Sequence, residues 1–251
     1  MSLETEIQKT IEAKFAELNR PDLIRTPIVA FSSAHDPKFK DLQTIVGPWH
    51  NLPTDFLPEA ESVISYFIPF TREVALAPKN EPDGSPVWSE AYILINQHFH
   101  VVNQAIQDYL ESQGHKAAQI KPPKAYDPET FHAIWSHRSA AVIANLATFG
   151  ANNLAITEKG SGGRFCSVIT SAKLEVRREP PKKQCPYFKN GGCGLCLKAC
   201  PAGALNGGIT NKAACQAELN KNPERLKKLN AKYIADICGK CLSVCPLVYI
   251  E

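Results

Sequence analysis

The chain has 251 residues, 44% of them hydrophobic and 21% charged, with a formal net charge of +3. That length can bury a substantial core, as one large domain or two smaller ones. No apolar run reaches membrane-spanning length, and so small a net charge without a basic–aromatic motif argues against a nucleic-acid binder.

In chain order, Leu3, Ile7, Ile11, Phe15 and Leu18 recur at helical spacing, and Pro21 ends that helix. Residues 1–20 are charged throughout and have no apolar segment of the kind a secretory signal needs. Residues 26–31 and 63–70 read as buried strands. A long helix is predicted over 89–113, closed by Gly114 in the left-handed conformation. A strand over 115–120 should end at Pro122 and Pro123, and a second helix should run over 128–148 and stop at Gly150. Residues 153–157 and 165–170 read as a strand pair joined by a glycine-rich turn. Residues 171–184, rich in charge and proline, read as a linker.

The glycine-rich turn, Gly160 to Arg164, has two readings. Its backbone N–H groups could face an anion, with Arg164 adding a charge-assisted donor, or it is a plain hairpin turn. It has neither a P-loop ending nor a strand-to-helix setting. His98 and His100 are two residues apart on the long helix and face different sides. His132 and His137, five apart, do not form a helical metal pair either. No serine triad, paired-carboxylate site or metal-hydrolase helix is present, so any chemistry falls to a bound cofactor.

The last third carries eight of the nine cysteines. They read Cys185-x7-Cys193-x2-Cys196-x3-Cys200-Pro201, then Cys215, then Cys238-x2-Cys241-x3-Cys245-Pro246. A Cys-x2-Cys-x3-Cys-Pro ending that occurs twice is the spacing by which bacterial ferredoxins hold two 4Fe-4S clusters, the last cysteine of each run serving the other cluster. Cluster one would take Cys185, Cys193, Cys196 and Cys245; cluster two would take Cys200, Cys215, Cys238 and Cys241. Zinc ribbons also pair Cys-x2-Cys but seldom carry the x3-Cys-Pro tail twice. Gly191, Gly192 and Gly194 would let the backbone crowd the inorganic core. Cys166 stands outside both sets and reads as a core thiol. A thiol-rich chain without an export signal points to a reducing cytoplasm.

Charge divides unevenly: residues 1–150 hold 12 Lys/Arg against 18 Asp/Glu, a net of −6, while residues 151–251 hold 16 against 7, a net of +9. The excess is concentrated in Arg177, Arg178, Lys182 and Lys183 and over 221–232. It either compensates the anionic clusters or forms a docking face for an acidic electron donor.

The segment from Ser139 to Thr157, followed by Gly160 to Thr170, resembles the core of epoxyqueuosine reductases, a family related to the reductive dehalogenases. The stretch Glu59 to Tyr66 and the cysteine order through Pro246 are similar to that family as well, so the resemblance covers most of the chain from about residue 55. It implies an α+β chain: a nitroreductase-like α/β cofactor-binding lobe over 1–170, the linker 171–184, and a ferredoxin-type module over 185–251. It also implies a base-off cobalamin fed by the clusters, with cluster two proximal and cluster one receiving electrons from a low-potential donor such as ferredoxin or flavodoxin. Phe149, Gly150, Asn152, Asn153, Gly162, Gly163 and Arg164 would line the corrinoid.

Three departures stand against a direct transfer of function. The family's catalytic aspartate falls, without gaps, at His132-Ala133-Ile134, which makes His132 the candidate proton donor; Asp127 lies five residues earlier. The helical-repeat extension that engages tRNA in the longer enzymes is absent after Glu251, which argues against a tRNA substrate. Cys185 and Cys193 are separated by seven residues, where the family has two. The expected function is therefore electron transfer through two 4Fe-4S clusters to cobalamin for reduction of a small substrate. The alternative is delivery of electrons to a partner such as a corrinoid protein.

Overall fold

The computed structural model describes residues 2–81, 84–120, 127, 129–176, 179–182 and 184–251. The elements run α1 (Leu3–Glu17), β1 (Ile28–Ser33), α2 (Lys38–Ile45), α3 (Pro53–Phe56), β2 (Ser62–Pro69), α4 (Arg72–Asn80), α5 (Pro86–Ser112), β3 (Ala117–Gln119) and α6 (His137–Ile143). They continue with β4 (Ala147–Phe149), β5 (Ala155–Thr157), β6 (Gly163–Thr170), α7 (Pro186–Asn190), α8 (Leu195–Ala199), β7 (Leu205–Asn206), β8 (Ile209–Thr210), α9 (Lys212–Leu219), α10 (Asn222–Lys228) and α11 (Lys240–Ser243).

The centre is an antiparallel sheet in the order β1-β2-β6-β3. Every residue of β2 is buried, because helices cover both faces of the sheet, and a strand covered on both faces reads as an unbroken apolar run. Ile64, Tyr66 and Ile68 join Cys166 and Val168 of β6 against Ile7, Ile11 and Phe15 of α1 and Ile95, Val102 and Ile106 of α5. The Tyr66 hydroxyl donates to Asn103 Oδ1 at 2.7 Å, which satisfies a phenol that has no access to water. The opposite face packs Val63 and Ile169 on Trp135, Ala140 and Ile143, and Ala30 and Phe67 on Ala141, Ala144 and Leu146.

The helix signals of the sequence are visible in the caps. Ser2 accepts from Thr5 N–H to start α1, Ser85 and Pro86 open α5, and Gly114 has φ +81 beyond its end.

Two expectations are corrected. The helix expected over 128–148 is only α6, and residue 128, its expected start, lies outside the described residues. Asn145 takes the left-handed conformation at φ +55 and ends the helix, Leu146 N–H returning to Ala141 O. The strand pair 153–157 and 165–170 does not form. β5 pairs with β4 across the turn at 150–153, whereas β6 pairs with β2 and β3. Helices α2 and α4 had no expectation in the sequence. Pro122 and Pro123 lie outside the described residues.

Candidate functional site

The cysteines are positioned by short helices and the turns that flank them. Cys185 caps α7, which ends at Gly191 with φ +69. Cys196 is on α8, Cys200 ends it, and Cys215 is on α9. Cys238 precedes Gly239, whose φ of +76 opens α11, the helix that carries Cys241; Cys245 follows it.

They gather in two sets. One cavity is lined by Cys185, Cys193, Cys196 and Cys245, together with Gly150, Ala151 and Asn152. In the second set, the thiols of Cys238, Cys200 and Cys215 act on Cys241, and Cys196 of the first set, which is nearby, acts on it less. Burial is the largest influence on Cys241 and Cys245, pushing the first up to about 12 and the second to about 11, and neighbouring thiols add to it. Among the described residues no three His, Cys, Asp or Glu side chains form a group that could hold a metal ion directly. Four thiols spaced around a cavity suit a cubane, in which each iron takes one thiolate. Cys200 Sγ also accepts from Ala204 N–H at 3.3 Å, a contact of the kind that tunes a cluster's potential.

The helix–sheet region is joined to these sets by the loop between β4 and β5. Asn152, 6% exposed, donates from Nδ2 to Cys241 O at 3.1 Å, and Ala151 O accepts from Gly208 N–H at 2.9 Å.

The seven residues assigned to a corrinoid do not share one face. Phe149 lines an open groove of about 740 Å³ with Thr148, Lys182, Cys185 and Phe188; Thr148 Oγ1 itself is buried, with no hydrogen-bond partner among the described residues. Gly150 and Asn152 line the cavity of the first cysteine set instead. Asn153, at φ +57, turns the loop and accepts from Arg138 through its carbonyl.

The glycine-rich turn is occupied by the chain itself. Ser161 N–H donates to Leu247 O at 2.9 Å and Gly162 N–H to Val248 O at 2.8 Å, so these donors do not face an anion. Arg25 completes the clamp, donating to Phe70 O, Lys159 O and Ile250 O, with its guanidinium 4.2 Å from the centre of the Tyr249 ring. Gly163 is paired with Pro69 in the sheet.

His132, the candidate proton donor, stacks flat on Trp49 with ring centroids 3.4 Å apart. Sequence reasoning passed over the partners of a second imidazole, His137. Trp135 Nε1–H donates to Ser167 Oγ at 2.9 Å, and the same oxygen is 2.7 Å from His137 Nδ1. No local spacing reveals this, because Ser167 is brought to His137 by strand pairing 30 residues away. His98 bonds Lys14 O, His100 bonds Gln97 O, and Cys166 is buried against Asn103, all structural contacts. Arg177, Arg178 and Lys183 lie outside the described residues.

Burial, then the charge of Arg164, lower His137 from 6.5 to about 4. A histidine lowered on folding adds stability above its unfolded value and loses it as pH falls through the folded one. The expected result is a loss of about 2 kcal/mol between pH 6.5 and 4, the full shift being discounted for the half-buried ring's contact with water. Denaturant unfolding across that range checks it, and His137→Gln should flatten the slope.

Residues 189–248 match the 4Fe-4S double cluster binding domain, a stretch that holds every cysteine of the two sets except Cys185. A search of the curated proteins finds no match. Among solved structures, an epoxyqueuosine reductase from Streptococcus thermophilus superposes on 99% of this chain and 66% of its own, with TM-score 0.62 and 18% identity. Another epoxyqueuosine reductase, solved with an epoxyqueuosine-modified tRNA-Tyr stem loop, covers 96% of this chain and 66% of its own, with TM-score 0.52 and 19% identity. A reductive dehalogenase described as B12-dependent covers 89% of this chain and 30% of its own, with TM-score 0.59 and 14% identity. The chain thus spans about two thirds of the reductases and under a third of the dehalogenase. The fold is a mixed helix-and-sheet chain with a double-cluster domain, shared with the epoxyqueuosine reductases. No helix among the described residues is long and apolar enough to cross a membrane.

Proposed function

From that shared fold and the double-cluster domain, we propose that the chain is an iron–sulfur redox protein. It passes electrons through two 4Fe-4S clusters to an acceptor held against its helix–sheet lobe, for reduction of a small substrate. The observation that carries this is that Cys245 joins the first motif's thiols around one cavity. By the same proposal Cys200 joins the second motif's thiols, which would hold the two clusters side by side. In this reading the lobe is nitroreductase-like and spans 1–170, residues 171–184 link, and 185–251 form the module. Cys185 borders the open groove, which gives a low-potential donor such as ferredoxin or flavodoxin access to cluster one. Cys241 lies against the lobe through Asn152, which makes cluster two the exit.

Cobalamin is the acceptor that the dehalogenase likeness suggests; it would supply a cobalt centre reducible in single-electron steps. The residues assigned to it are divided between the groove, the first cysteine set and the C-terminal clamp, so no step is routed through it. The clamped glycine turn favours a second reading, an electron carrier that serves a partner's corrinoid.

Anaerobic reconstitution with iron, sulfide and hydroxocobalamin, followed by gel filtration and metal analysis, separates them. About eight irons with one cobalt per chain supports the bound acceptor. Eight irons without cobalt supports the carrier, and iron far below eight overturns both. A gel shift with a tRNA anticodon stem loop tests the remaining substrate class.

A further inference from the structure

Residues 180–217 supply five of the eight cysteines of the two sets and contain five lysines, but no aspartate or glutamate. Cys193, which lines the cavity of the first set, is only half-buried, and Lys182, Phe188 and Lys189 line the groove that Cys185 borders. Lys182, Lys189 and Lys198 are exposed, and among the described residues none of the three is in an ion pair.

Beside these cations the chain leaves large apolar side chains uncovered. Phe188 is 54% exposed, Leu195 50% and Ile209 71%. They are grouped around Tyr187. The Phe188 ring meets Tyr187 edge-on at 5.6 Å, and Phe188 Cζ lies 3.3 Å from where a Cβ on Gly208, the residue before Ile209, would stand. Leu195 lines the first cavity together with Tyr187, and Lys198, three residues on in α8, shares its face. Apolar residues exposed singly are ordinary, but a patch of them beside charged residues marks an interaction surface. Compensation of the anionic clusters would account for the lysines; it does not call for an exposed phenylalanine and isoleucine. An apolar centre within a charged rim is the anatomy of a protein interface, and a rim of lysines without carboxylates is complementary to an acidic partner.

We propose that this face, with Phe188 at its centre and Lys182, Lys189 and Lys198 at its rim, is the docking surface for an acidic one-electron carrier protein. This rests on the reading that electrons enter at cluster one, and it names the surface that receives the donor. In the transfer the carrier loses one electron and the cluster gains it, and no bond forms or breaks. The interface is of the small, short-lived kind typical of redox encounters, with the lysines acting on the rate of association.

The test is anaerobic stopped-flow mixing of the iron-loaded protein with reduced flavodoxin, an acidic carrier, the loss of the clusters' visible absorbance giving the second-order rate. Raising the salt from about 0.01 to 1 M shortens the screening length from about 30 to 3 Å and should slow the wild type about tenfold or more. The double variant Lys182→Glu, Lys189→Glu should be about tenfold slower at low salt and lose most of the salt dependence. Phe188→Ala should be about fivefold slower at high salt as well, where the lysines are screened. Lys228→Glu with Lys232→Glu makes the same charge change on the other basic stretch and should stay within about twofold of the wild type. Wild-type rates in the Lys182/Lys189 and Phe188 variants, or equal slowing by the two charge reversals, overturns the proposal. The two rim lysines are exposed and outside any ion pair, so their variant decides the matter if Phe188→Ala loses iron. Dithionite needs no docking surface and should reduce the wild type and the variants alike. If it leaves the wild type unreduced, or if iron is far below about eight per chain, the redox reading itself has failed.

Discussion

Cys241→Ala should lower the iron retained from about eight per chain to about four, the complement of one 4Fe-4S cluster. Cys238, Cys200 and Cys215 act on Cys241 more than the other thiols do, and Cys241 does not line the cavity of Cys185, Cys193, Cys196 and Cys245, although it packs beside it. Its contact with the lobe runs through its carbonyl, to Asn152, and alanine keeps that carbonyl. The variant should therefore stay folded, with an unchanged far-ultraviolet spectrum and one cluster's paramagnetic signal on reduction. Iron near eight would remove Cys241 from the ligand set, and iron near zero would show that the two sets do not load independently. Cys166→Ala, in the core, should leave the iron count unchanged.

Gly160→Ala should cost about 2–4 kcal/mol of folding stability. Gly160 has φ +101, and a Cβ there would sit 2.5 Å from Val248 O and 3.0 Å from Leu247 O. Leaving glycine's conformational region costs about 1 kcal/mol, and forcing a methyl into packed backbone adds about 1–3. Gly114→Ala separates these contributions, because Gly114 also has positive φ, +81, but its Cβ would meet nothing within 4 Å. It should cost only the backbone share, about 1 kcal/mol. Denaturant unfolding measures both. The Gly160 variant should additionally become cleavable near 247–250 under limited proteolysis, as the carbonyls of that segment lose their donors. Equal costs at the two positions would mean that the segment does not press on the turn.

Much of this was legible in the sequence where the physics is local. The helix at Leu3 and the long helix ending before Gly114 follow from periodicity and caps, and the strand at Val63 from an apolar run that can only be doubly covered. The double-cluster domain was legible too, since ligand spacing is a property of a few neighbouring residues. What could not be read depends on pairing across the chain. The alanine-rich stretch after Ser136 keeps a helical period past Ile143, and only the left-handed Asn145 and the pairing of Ala147 with Thr157 show where the helix ends. The glycines at 160–163 read as an anion-facing turn or a plain hairpin, and no local pattern reveals that residues 247 and 248 approach them. Arg138 and the Trp135–Ser167–His137 chain carry no motif at all.

The clamp on residues 247–250 also sets an order of events during synthesis. The turn at 159–162 emerges from the ribosome almost ninety residues before the carbonyls that its N–H groups serve, and Arg25 waits longer still for Ile250. Until residues 247–250 have emerged, that edge of the sheet has open donors. The segment that closes it begins next to Cys245. Metal loading and completion of the lobe are thus successive parts of one maturation event, and a chain starved of iron should be left with an unfinished lobe as well as empty cluster sites.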